Sequence, residues 1–100
     1  MVTARITDYG FMISGHADYD EYGYDIVCAG ISSLTQSIAI ALNKYSKAEV
    51  EYTKSGLVVD IGKKDEISKI LLDTLRMGLL EIEKEYPNHI QVQIKKGVFK

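Results

Sequence analysis

One hundred residues, 46% of them apolar and 26% charged, are enough for one hydrophobic core and too few for two. That balance excludes intrinsic disorder, and no apolar run approaches the roughly 18 residues of a membrane span. The single cysteine excludes a disulfide framework or a multi-cysteine zinc site, and a net charge of −2 lacks the basic footprint of a nucleic-acid binder. The first residues, Met-Val-Thr-Ala-Arg-Ile, lack the apolar core of a secretory signal, so a cytoplasmic protein with no membrane partner is expected.

In chain order, Val2, Ala4 and Ile6 alternate with Thr3, Arg5 and Thr7, which predicts a half-buried strand. Asp8-Tyr9-Gly10 supplies turn chemistry, and Phe11 and Ile13 mark a second strand that ends near Gly15-His16. Residues 17–25 follow no hydrophobic period and read as a loop. Asp25 is a suitable N-cap for a helix whose apolar stripe is Ile31, Leu34, Ile38, Leu42 and Tyr45. Val50 and Tyr52, then Leu57, Val59 and Ile61, alternate around Lys54-Ser55-Gly56 as a hairpin. Asp65 is placed to cap a second helix, with Ile67, Leu71, Leu75, Gly78 and Ile82 on one face and Pro87 beyond its end. Ile90, Val92 and Ile94 form the last strand. The order is ββαββαβ: a single α+β domain over 1–100, with two helices packed on a mostly antiparallel sheet.

Charge is unevenly distributed. Residues 1–43 carry a net −4, residues 44–100 a net +2, and four of the early acids (Asp18, Asp20, Glu21 and Asp25) lie close together. Asp18, Asp20 and Gly23 match three positions of a calcium-binding loop, but Tyr22 occupies a ligand position and Ala29 stands where a bidentate glutamate is required. No metal or other cofactor is expected. The segment Asp18, Tyr19, Asp20, Glu21, Tyr22, Gly23, Tyr24 reads either as a solvated acidic loop or as a lid that attracts a basic substrate and contacts it through its tyrosines.

Cys28 falls at the third position of the first helix if Asp25 is the cap. The first turn presents backbone N–H groups and the positive end of the helix dipole, an environment that favours a thiolate, and the thiolate is the nucleophile. At about 100° per residue the thiol lies on the flank of the apolar stripe, and it reads as a small buried hydrophobe or as a nucleophile. His16, at the end of a strand and 12 residues earlier, is either a loop histidine or the base that takes the thiol proton. Asp25 either caps the helix or orients His16. Backbone N–H groups at Cys28 and Ala29 would form an oxyanion hole for acyl transfer. Gly30 costs about 1 kcal/mol against alanine in a helix, which suggests close approach by a substrate or another helix. On residue chemistry alone the chain is a candidate thiol enzyme.

Gly15-His16-Ala17, followed by Gly23-Tyr24-Asp25-Ile26-Val27-Cys28-Ala29-Gly30-Ile31-Ser32, resembles the signature of the Prp family of ribosomal-processing cysteine proteases. The order of elements agrees over essentially the whole chain, with Gly30 where the family pattern has alanine. The resemblance implies a homodimeric cytoplasmic endopeptidase of bacteria. Its substrate would be the precursor of large-subunit ribosomal protein number twenty-seven, from which it removes an N-terminal extension. By the same resemblance Cys28 is the nucleophile, His16 the base and Asp25 a recurrent acid. The competing reading is a non-catalytic ribosome-assembly or RNA-associated binding module. The negative charge and the lack of a basic aromatic cluster weaken it, and no direct nucleic-acid contact is expected.

Overall fold

The computed structural model describes residues 1–15, 26–54, 56–62 and 64–95. His16, Asp25 and the acidic segment between them lie outside the described residues, as does Ser55 of the expected turn. The elements are β1 (Val2–Thr7), β2 (Gly10–Ser14), α1 (Ile26–Ser46), β3 (Glu49–Thr53), β4 (Gly56–Asp60), α2 (Glu66–Glu85) and β5 (Ile90–Ile94), in the expected order. They form a five-stranded sheet of order β3-β4-β2-β1-β5. Three pairings are antiparallel, and β1 with β5 is parallel, starting at Val2 opposite Ile90.

Alternation in the strands follows from a sheet covered on one face. Val2, Ala4, Ile6, Phe11, Ile13, Leu57, Val59 and Ile90 are buried beneath the helices. Thr7 breaks the pattern: it is buried because its hydroxyl accepts the N–H of Tyr9 at 3.1 Å in the β1–β2 turn. At the sheet edges alternation persists but burial fades, so Tyr52 of β3 is 62% exposed and Ile94 of β5 is 51% exposed.

Both helices are rotated slightly from the expected faces. In α1 the buried residues are Val27, Ile31, Thr35, Ile38, Ala39 and Leu42, whereas Tyr45 is exposed with Lys44 lying 5.3 Å from its ring. Thr35 tolerates burial because its hydroxyl donates to the Ile31 carbonyl at 2.8 Å. In α2 the buried residues are Ser68, Leu72, Leu75 and Leu79, and Ile67 is exposed. Asp65 caps α2 as expected: its carboxylate accepts the Ser68 N–H at 2.7 Å, and the Ser68 hydroxyl accepts the Asp65 N–H at 3.0 Å. That reciprocal pair explains why a serine is fully buried there.

Gly78 is where the two helices come close, because a Cβ at that position would press on the Leu34 side chain at 2.6 Å. Among the described residues no other helix approaches Gly30: a Cβ there meets nothing within 4 Å, and Gly30 lies on the side of α1 away from Cys28. By length and apolar composition α1 also qualifies as a membrane-crossing helix. Its apolar face, however, is built into the core, and Ser32, Ser33, Gln36, Ser37 and Asn43 face solvent.

Candidate active site

Helix α1 begins at Ile26, which makes Cys28 its third residue. The rotation of the buried face toward Thr35 and Ala39 brings this face closer to Cys28 than the expected stripe did. The thiol side chain is half-buried and packs against the core cluster, at its margin. The N–H groups of a helix's first turn point past its N-terminal end, so the sulfur and these donors share one region of space.

Cys28 opens onto a cleft of about 250 Å³ between α1 and the β3–β4 hairpin. The α1 side is formed by Cys28, Ile31, Ser32, Thr35 and Gln36, and the floor by Val2, Ile13 and Leu57. The register makes that floor continuous, because Ile13 stands opposite Leu57, and Leu57 opposite Tyr52. At one end lies Gly15, the residue that precedes His16 in the chain. The last strand residues before the acidic segment and the first helical turn after it therefore border the same cleft.

Gly15 is required by its geometry. Its φ is +89°, a region L side chains rarely adopt, and a Cβ would run into the backbone carbonyl of Met1. Chain order gave no hint of the Tyr52–Gln36 contact, in which the phenol donates to Gln36 Oε1 at 3.2 Å across the cleft.

Two other clefts lack this chemistry. One, of about 220 Å³ near the C-terminal end of β1, is lined by Lys64, Lys69, Arg76 and Lys95, with Asp8 and Asp73 paired to Lys64 and Arg76. The other, of about 430 Å³, lies by Leu80, Pro87 and Ile90. Neither contains a thiol. His89 is half-buried beside Tyr86, with ring centroids 6.5 Å apart, and its carbonyl accepts the Val2 N–H as β5 begins.

Comparison with known proteins agrees with the cleft chemistry. The family model described as Cysteine protease Prp matches residues 1–91. The ribosomal processing cysteine protease Prp of Staphylococcus aureus (strain Mu50 / ATCC 700699) is 31% identical over 96 residues, which cover 91% of this chain and 89% of the relative. Its counterpart in Mycoplasma genitalium is 30% identical over 96 residues, covering 92% and 94%. The crystal structure of the S. aureus protease with a covalently linked product peptide is similar with a TM-score of 0.86 at 27% identity, covering 95% of this chain and all of that one. A half-buried helix-start cysteine in an open cleft, a two-helix α+β fold and matches along nearly the whole length converge: the chain belongs to the cysteine protease Prp family of ribosomal processing enzymes.

Proposed function

We propose that this protein is a Cys–His endopeptidase that removes the N-terminal extension from the precursor of large-subunit ribosomal protein number twenty-seven during bacterial ribosome assembly, acting in the cytoplasm as a homodimer. The observation that carries the reading is the placement of Cys28 in the first turn of α1, in a cleft that also includes the residue before His16.

In this reading His16 takes the Cys28 proton, and the thiolate sulfur bonds to the scissile carbonyl carbon while the carbonyl electron pair moves onto oxygen. Backbone N–H groups at Cys28 and Ala29 hold that oxyanion. As the carbonyl re-forms, the C–N bond breaks and His16 gives its proton to the leaving amine. His16 then takes a proton from water as the hydroxide adds to the thioester carbonyl; when the carbonyl re-forms, the carbon–sulfur bond breaks, the new carboxyl terminus leaves, and His16 returns its proton to the sulfur. Asp25 caps α1 in this scheme. Asp18, Asp20 and Glu21 supply the charge that attracts a basic ribosomal protein, and Tyr19, Tyr22, Gly23 and Tyr24 complete the substrate loop. No cofactor takes part.

Incubation with a peptide spanning the junction of the extension tests the reading. The wild type should cut it once. Cys28→Ala should keep the fold and lose cleavage, and His16→Ala should lose several orders of magnitude in turnover, because nucleophile and base act as a unit. Cleavage by Cys28→Ala at a rate near wild type would refute the assignment. A loss of less than about tenfold in His16→Ala would remove His16 from the role of base.

A further inference from the structure

Two side chains that line the Cys28 cleft, one from the sheet and one from α1, are joined by a hydrogen bond. Tyr52 stands on β3, the outermost strand on that side of the sheet, in line with Leu57 and Ile13 of the cleft floor. Its hydroxyl donates to Gln36 Oε1 on α1 at 3.2 Å, and both residues line the cleft together with Cys28. Core burial does not account for the ring's position, since Tyr52 is 62% exposed. The bond tethers a solvent-facing aromatic across the gap between sheet and helix.

Gln36 follows Cys28 by eight positions on the same helix. A rise of 1.5 Å per residue sets their Cα atoms about 12 Å apart along the axis. An extended peptide advances about 3.3 Å per residue. That axial span matches three to four residues of extended substrate, lying between α1 and the floor of Val2, Ile13 and Leu57.

We infer that the Tyr52–Gln36 bridge is the end wall of the substrate groove, and that Tyr52 is a specificity-determining residue. The wall bounds the groove three to four residues from the scissile bond on one side, and the tyrosine ring packs on the substrate residue that reaches it. Gln36 acts as a positioning residue, holding the ring through its amide oxygen. The inference rests on Cys28 being the nucleophile.

The test uses the full chain and a peptide series lengthened one residue at a time in each direction from the scissile bond. For the wild type, kcat/KM should climb with length on one side and level off at about the third or fourth residue. Tyr52→Ala should raise KM about tenfold for peptides that reach the wall and leave kcat and the shorter peptides unchanged, since uniform binding is lost. Tyr52→Phe and Gln36→Ala keep the ring and lose its tether, so both should raise KM for the long peptides by a similar and smaller factor, about two- to fivefold. Melting temperatures should not move, because both residues are exposed. Equilibrium binding of the same peptides to Cys28→Ala, with and without Tyr52→Ala, reads the same loss without turnover. An unchanged affinity for long peptides in the Tyr52→Ala variants overturns the wall, as does a wild-type kcat/KM that keeps rising with length on both sides. Loss of cleavage in Cys28→Ala reports separately on the nucleophile, so a protein that cuts through Cys28 but ignores Tyr52 refutes only this inference.

Discussion

Replacing Gly15 by alanine adds one methyl group and should be among the most damaging small changes available to this domain. Two costs combine. An L residue at φ +89° is held in a region that costs roughly 1–2 kcal/mol. The new Cβ also meets the Met1 carbonyl, a backbone atom that has little freedom to retreat. On its far side the chain is fixed, because the Val2 N–H donates to the His89 carbonyl at 2.9 Å and Val2 pairs with Ile90. Forcing atoms into a packed site costs about another 1–3 kcal/mol. The total is about 2–5 kcal/mol, or a fall in Tm of roughly 8–40 °C for a domain of this size. Gly30→Ala is the control. It is the same chemical change inside a helix with no described residue within 4 Å of the added carbon, so helix propensity should raise stability by about 0.8–1 kcal/mol. Urea unfolding of both variants, with m-values equal to wild type, measures the opposed signs. A Gly15→Ala protein within about 0.5 kcal/mol of wild type would refute the steric argument.

Leu75 is fully buried in α2, and Leu75→Ala should cost about 2–5 kcal/mol in urea unfolding. Asp65→Ala removes the α2 cap and should cost about 1–2 kcal/mol, whereas Asp65→Asn should recover most of that in the same measurement. If Asp25 caps α1, Asp25→Asn should keep most peptide cleavage; a loss beyond about a hundredfold at unchanged Tm would instead assign it to orienting His16. Neutralising Asp18, Asp20 and Glu21 together should slow association with a basic substrate at low salt and flatten its salt dependence in stopped-flow binding.

The sheet was legible because, among the described residues, the helices cover one of its faces, so period-two alternation of apolar residues follows burial in β1, β2 and β4. Helix existence and order were equally plain, but the helix faces were read one position off. Thr35 and Ser68 are polar by composition, yet their hydroxyls are satisfied within the helix or its cap, so they enter the core. Tyr45 and Ile67 are large and apolar, yet they sit where α1 ends and α2 begins, beyond the reach of the other layer. Among the described residues, the helix contact that a glycine suggests is at Gly78 and not at Gly30. At the site, the first-turn position of Cys28 followed from locating the helix start. The role proposed for His16 rests on the family motif, because a gap of 12 residues has no fixed geometry of its own. Tyr52 and Gln36 were invisible as a pair, since their contact depends on the hairpin folding back beside α1.

The parallel pairing of β1 with β5 carries a consequence for how the domain is made. β1 meets β2 across a two-residue turn, but its other neighbour begins at Ile90, so that side of the strand closes only after almost the whole sequence has been laid down. Contacts of such sequence separation form slowly, and synthesis at about 5–20 residues per second delivers β5 seconds after β1. Until then β1 is an edge strand, and Val2, which is 2% exposed in the finished domain and forms part of the cleft floor, lacks its partner. Cys28 is synthesised early and the cleft beside it is completed late. A nascent chain that already carries Cys28 lacks the Val2–Ile90 pairing at the cleft floor, so the cleft takes its final shape only when the sheet is complete.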